Sequence, residues 1–229
     1  MNGRMGKSIL LVTVFLAAIS PVKGIFAQVK DAGLWLSLNV EKKITPVLSA
    51  CFTEEVRMNE NITEVGTIFS DIGLFYHVGK RLKAGGGYRF SNKRNIDDSY
   101  DNRHRYYFDL GYREKLKPVT ILLRTRYQSE YNNIYSSEKG SVPTNHARVK
   151  LTLKYDLPKK FEPYLYAESF FWLNNPLYGP FDQIRVCGGV EYTFNRMHMI
   201  DVFYLFQKEY NVIHPETDYV TGVSYYFTF

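Results

Sequence analysis

A chain of 229 residues fits a single all-β domain, and a net charge of +6 spread along its length leaves a poor case for nucleic-acid binding, which needs a concentrated basic patch. Only two cysteines are present, Cys51 and Cys187, in segments far apart in chain order. Two free thiols, buried or turned to an interior, are expected rather than a disulfide.

The first residues read as a secretory leader. Arg4 and Lys7 supply a basic start, Ile9 to Ile19 an apolar run, and Ile25-Phe26-Ala27 an exit ending in a small residue. The run is about 11 residues, against the ~20 that cross a bilayer as a helix, and no later segment is a better candidate. A signal peptide over 1–27 with cleavage after Ala27 is expected, leaving 28–229 as a barrel domain. Cys51 lies too far from the apolar run to carry a lipid anchor. Removing Arg4, Lys7 and Lys23, with no acid, lowers the net charge from +6 to +3.

The remainder alternates with period 2 and shows no sustained helical stripe. The pattern predicts strands near 31–43, 46–58, 65–79, 82–92, 102–115, 118–131, 146–157, 161–173, 183–195, 197–209 and 218–229. In 102–115, Tyr106, Phe108, Leu110 and Tyr112 oppose Arg103, Arg105, Tyr107 and Asp109. In 118–131, Val119, Ile121, Leu123, Thr125, Tyr127 and Tyr131 oppose Arg124, Arg126, Gln128 and Glu130. In 146–157, Ala147, Val149, Leu151, Leu153 and Tyr155 oppose Arg148, Lys150, Thr152, Lys154 and Asp156.

Connections alternate in length. Short ones fall near 42–46, 79–82, 115–118, 157–161 and 195–197, and longer polar ones near 92–102, 132–145, 174–182 and 210–218. Short turns at one end and long loops at the other are the habit of outer-membrane barrels, and closure removes the exposed edges that strands of this length and apolarity would present. The fold expected is an antiparallel transmembrane β-barrel of about 10 to 12 strands. The 11 segments counted conflict with the even number usual in bacterial barrels, and place the start of the first strand at the long-loop end.

Alternation alone does not say which face is inward. Adjacent arginines on one face suit a polar interior, and many of the 19 tyrosines and 16 phenylalanines lie near the ends of the apolar faces, as an interfacial girdle requires. The last strand places Tyr219, Thr221, Val223, Tyr225, Phe227 and Phe229 on one face. Its terminal Phe229, with Phe227 and Tyr225, is similar to the signal read by the outer-membrane assembly machinery.

The run Gly33-Leu34-Trp35-Leu36-Ser37-Leu38-Asn39-Val40-Glu41-Lys42-Lys43 resembles domain-of-unknown-function family 2490. So do Glu54-Glu55-Val56-Arg57, Gly87-Tyr88-Arg89-Phe90 and Asn102 through Leu110. Arg124 through Tyr131 and Lys150 through Tyr155 continue the likeness, which covers nearly all of the chain after the leader. The resemblance implies an outer-membrane barrel and an outer-membrane location, and brings no activity or catalytic residue.

The charged face is the main candidate site. Arg103, Arg105, Arg124, Arg126, Arg148, Lys150 and Arg185 are expected to share an interior with Asp109, Glu130, Glu168 and Glu191, joined by Glu55, Asp201 and Glu209. They read either as a selectivity lining for a small polar solute or as a salt-bridge network filling a narrow barrel. Unpaired charges in a low-dielectric lumen cost several kcal/mol, so mixed signs at neighbouring positions should pair, which favours the second reading.

No catalytic, cofactor or metal residues stand out. The histidines His77, His104, His146, His198 and His214 are scattered, without GxSxG or metal-ligand spacing, and His104 or His146 near the outer rim are the remaining catalytic candidates. Gly85-Gly86-Gly87 lacks the helix and lysine of a phosphate loop and reads as strand glycine. Asn61-Ile62-Thr63 reads as a turn. Three functions remain open: a non-enzymatic structural, binding or narrow-pore barrel; an outer-membrane hydrolase of lipid or peptide; and a soluble periplasmic barrel binding an apolar ligand.

Overall fold

The computed structural model describes residues 30–95, 97–132, 143–157, 160–175, 179–213 and 215–229. The expected leader and His214 lie outside the described residues. Eleven strands follow one another: β1 (Lys30–Lys43), β2 (Leu48–Asn59), β3 (Glu64–Val78), β4 (Leu82–Arg94), β5 (Tyr100–Leu116), β6 (Val119–Asn132), β7 (Thr144–Tyr155), β8 (Phe161–Trp172), β9 (Phe181–Thr193), β10 (His198–Glu209) and β11 (Thr217–Thr228). They form one closed barrel in which each strand pairs with its chain neighbours and β1 closes on β11.

The odd strand number is accommodated at that closure. Ten neighbouring pairs are antiparallel, whereas β1 and β11 run parallel, in register from Lys30 opposite Thr217 to Glu41 opposite Thr228. Both strands run toward the short-turn end, where the Lys43 amide donates to the Phe229 carbonyl and the Phe229 amide to the Glu41 carbonyl, each at 3.0 Å. β1 therefore does begin at the long-loop end.

Exposure decides the facing of the wall. Ile72 and Leu74 on β3 and Leu110 on β5 keep 52 to 58 % of their surface, while Asp109 and Glu168 keep 6 % and 2 %. Along most of the wall apolar side chains face outward and charged ones inward, the inverse of a soluble barrel. Aromatic residues mark both ends of the outer face. Tyr192, Phe194, Tyr225, Phe227 and Phe229 gather at the short-turn end, with Phe227 and Phe229 stacked at 5.3 Å. Tyr88, Tyr106 and Tyr131 lie toward the other.

Two local features shape the interior. Gly85 and Gly87 on β4 face inward, where a Cβ would overlap the Phe75 ring and the Tyr107 hydroxyl, so these glycines make room for large side chains from β3 and β5. In β9 the register shifts opposite Phe170 and Phe171, and the extra residue, Asp182, is buried. Both cysteines are free, Cys51 half-buried on β2 and Cys187 buried on β9.

Candidate functional site

The interior side chains come from alternate positions of every strand, and the antiparallel registers place charges of opposite sign beside each other. Asp109 on β5 is the register partner of Arg126 on β6, and the guanidinium grips the carboxylate with two bonds, Nε to Oδ1 at 2.6 Å and Nη2 to Oδ2 at 2.7 Å. The same guanidinium lies 3.9 Å from the Tyr107 ring centroid. Tyr107 donates its hydroxyl to Asp71 at 2.6 Å, and Asp71 also accepts from Arg89 Nε at 2.9 Å. One connected chain of groups thus runs across β3, β4, β5 and β6.

Two further clusters complete this side. Glu130 on β6 accepts from Arg105 Nε at 2.7 Å and from Arg103 at 3.3 Å. Glu168 on β8 accepts from Arg124 at 2.6 Å and from Arg148 Nε at 3.0 Å, while Arg148 reaches Gln128 at 3.2 Å. Bidentate and charge-assisted bonds of this kind are the arrangement that offsets burial of ions.

Lys150 and Arg185 depart from the expected pairing. The carboxylate beside Lys150 in register is Glu168, already held by two arginines, and the Lys150 ammonium instead lies 3.5 Å from the Tyr166 ring centroid. Arg185 donates to Gln207 at 2.7 Å and lies 4.7 Å from the Phe170 ring centroid. Neither has an ion pair among the described residues. Glu191 is held by Lys154, whose Nζ stands 2.6 and 2.7 Å from its two oxygens, and Glu55 accepts from Arg57 at 2.6 Å.

Another part of the interior is apolar. Tyr164, Cys187, Leu205 and Val220 are buried together across β8 to β11, with Trp35, Tyr166 and Phe203 packed on them. Between this cluster and the ionic clusters lies a cavity of about 310 Å³.

Asp71, Arg89, Arg57, Lys154 and Tyr164 are interior polar residues absent from the sequence-derived set of candidates. Arg89 is accessible to the same period-2 rule, since it sits between the outward Tyr88 and Phe90, whereas Asp71 follows the polar Ser70, which weakens the alternation there. The role of Tyr164, whose hydroxyl donates to Asp201 at 2.9 and 3.1 Å, depends on packing between β8 and β10, two strands apart.

The rim histidines separate. His104 faces outward and shares a hydrogen bond of 2.7 Å between its Nδ1 and the Tyr88 hydroxyl. His146 faces inward, 3.1 Å from Asp182 and stacked on Trp172. Its Nδ1 has no hydrogen-bond partner among the described residues. No group of three or more His, Cys, Asp or Glu suited to a metal ion occurs among the described residues.

The model of the family described as "Protein of unknown function (DUF2490)" matches residues 32–217. The chain belongs to this family. No curated protein matches the sequence. Among solved structures, the barrel is similar to the β domain of the Bordetella autotransporter BrkA, with a TM-score of 0.51, 9 % identity, and coverage of 80 % of this chain and 82 % of that one. It is also similar to the NanC porin, with a TM-score of 0.50, 13 % identity, and coverage of 77 % and 85 %. At these identities the likeness establishes a fold shared with barrels of this kind.

Proposed function

We propose that this protein is an integral outer-membrane β-barrel of a Gram-negative cell, exported on a leader cleaved after Ala27, with a non-enzymatic structural or binding role. The interior carries the reading: Arg126 with Asp109, Arg105 with Glu130, and Arg148 and Arg124 with Glu168 fill one side by mutual pairing, and Leu205, Val220 and Cys187 fill the other. A one-sign lining suited to rapid passage of ions is not what these pairs present. The outward apolar band and its aromatic ends fit contact with membrane lipid. Phe229, Phe227 and Tyr225, outward at the end of β11, are proposed as the assembly signal.

The test is fractionation of producing cells, gel migration with and without heating, and conductance of the purified barrel in a planar bilayer. Recovery with the outer membrane, a heat-dependent shift and no sustained open-channel current are expected. Recovery in the soluble periplasm would overturn the membrane reading, and a steady large current would overturn the closed interior. Among the described residues, the His146 and Asp182 pair is the feature that favours a hydrolase. Turnover of a lipid or peptide ester that is lost in His146→Ala would replace the non-enzymatic reading.

A further inference from the structure

The cavity between the ionic and apolar sides lies in the short-turn half of the barrel. Lys150 and Lys154 approach it from the later part of β7, Tyr164 and Tyr166 from the beginning of β8, and Asp201 from the beginning of β10. Its volume of about 310 Å³ stands at the small end of ligand pockets, enough for a solute the size of one amino acid.

Most charges on its wall are already compensated. Lys154 holds Glu191, and Arg57 holds Glu55. Two charges are not. The Lys150 ammonium rests on the Tyr166 ring because Arg124 and Arg148 occupy Glu168, and it has no ion pair among the described residues. The Asp201 carboxylate receives only the Tyr164 hydroxyl, at 2.9 and 3.1 Å from its two oxygens, and likewise has no ion pair among the described residues. Both line the same cavity and do not pair with each other.

A separated ammonium and carboxylate in a confined space are costly to keep unpaired, and a ligand bearing both opposite charges relieves both at once without changing the net charge of the lumen. A singly charged ion relieves only one. We propose that this cavity binds a small zwitterionic solute of amino-acid size, its carboxylate at Lys150 and its ammonium at Asp201. The hydrocarbon part of the solute rests against Tyr166, Phe203 and Trp35, which supply apolar wall. The inference goes beyond the proposed membrane role, and the two fail separately, because membrane location and closure are read by fractionation and conductance and this site by binding.

The chain has two tryptophans, so Trp172→Phe leaves Trp35, on the cavity wall, as the only indole reporter. The detergent-extracted full barrel carrying this change is titrated with L-glutamine, with propionate and with propylammonium, following Trp35 fluorescence and calorimetric heat in parallel. L-glutamine is expected to saturate, with each half-probe weaker by about tenfold, the loss of one charge-assisted contact. Lys150→Met should weaken glutamine and propionate by about tenfold and leave propylammonium unchanged, and Asp201→Asn should do the reverse. Retained heat-dependent gel mobility reports that each variant has folded. No saturation by glutamine in either signal overturns the proposal. So does propionate binding as tightly as glutamine, a result obtained without either variant, and so does unchanged affinity in both folded variants.

Discussion

The two sides of the barrel interior solve the same problem with different chemistry. The ionic clusters on β3 to β8 are held by directional contacts: Arg126 fits Asp109 through two bonds, and Glu168 is shared by Arg124 and Arg148. A second cluster, on β8 to β11, is apolar, with Cys187, Leu205 and Val220 buried on strands that also carry the inward Gly189 and Gly222. The ionic side depends on every partner being present, because removal of one leaves others buried and unpaired. The apolar side depends on volume. Loss of a single group should therefore damage the two sides by different routes.

Glu168→Ala is expected to have the largest effect, since it strands both Arg124 and Arg148, and breaking a buried ion pair costs about 3 to 5 kcal/mol. Urea unfolding in lipid vesicles, followed by heat-dependent gel mobility, measures it. The sharper form of the test is the double change Glu168→Leu with Arg148→Met, which removes one of the two stranded charges and should recover part of the loss. If the double variant is no more stable than the single one, the ionic side is not governed by unpaired charge.

Leu205→Ala, in the fully buried centre of the other side, should cost about 3 kcal/mol through lost apolar contact and the cavity left behind, read by the same unfolding assay. A cost below about 1 kcal/mol would mean that this side is loosely packed and would break the comparison. At the parallel closure, Ser37 donates its hydroxyl to that of Ser224 at 2.7 Å, and Ser37→Ala should cost about 1 kcal/mol. A much larger loss would show that closure relies on this side-chain bond more than on the backbone ladder.

The smallest effect concerns the short-turn rim. Asp156, just beyond β7, is held below the usual carboxylate range by a hydrogen bond from the Lys115 ammonium, 2.8 Å away. A carboxyl group depressed in the folded state contributes stability above its ordinary pKa and loses it as the pH falls through the depressed value. The difference in unfolding midpoint between the parent and Asp156→Asn should therefore be present at neutral pH and shrink as the pH falls below about 4. A difference independent of pH would assign the effect of Asp156 to packing.

Much of this architecture is legible in the residues. The alternation in 118–131 places Arg124, Arg126, Gln128 and Glu130 together on one face, and β6 presents those four inward. Strand ends differ from the expected ones by one or two residues in most cases, as at β5, which begins at Tyr100 rather than near 102. Pairing is legible only where partners occupy adjacent strands. Asp109 and Arg126 could be matched from register, whereas Tyr164 with Asp201 and His146 with Asp182 join residues two strands apart, and the latter pair involves a bulge.

What the sequence determined by itself is the succession of alternating segments and the separation of faces, because a period of 2 is a local property of an extended backbone. The tertiary structure decided the rest. An alternating strand carries no information about the direction of the partner that closes the barrel, and the parallel pairing of β1 with β11 followed only from an odd number of strands meeting in one ring. In the same way, eight strands bring Lys150 and Asp201 to one cavity, yet which carboxylate Lys150 lacks was settled by two arginines reaching Glu168 first. Competition among side chains for a partner is a property of the closed ring, where three dimensions set the distances, and it is absent from any single strand.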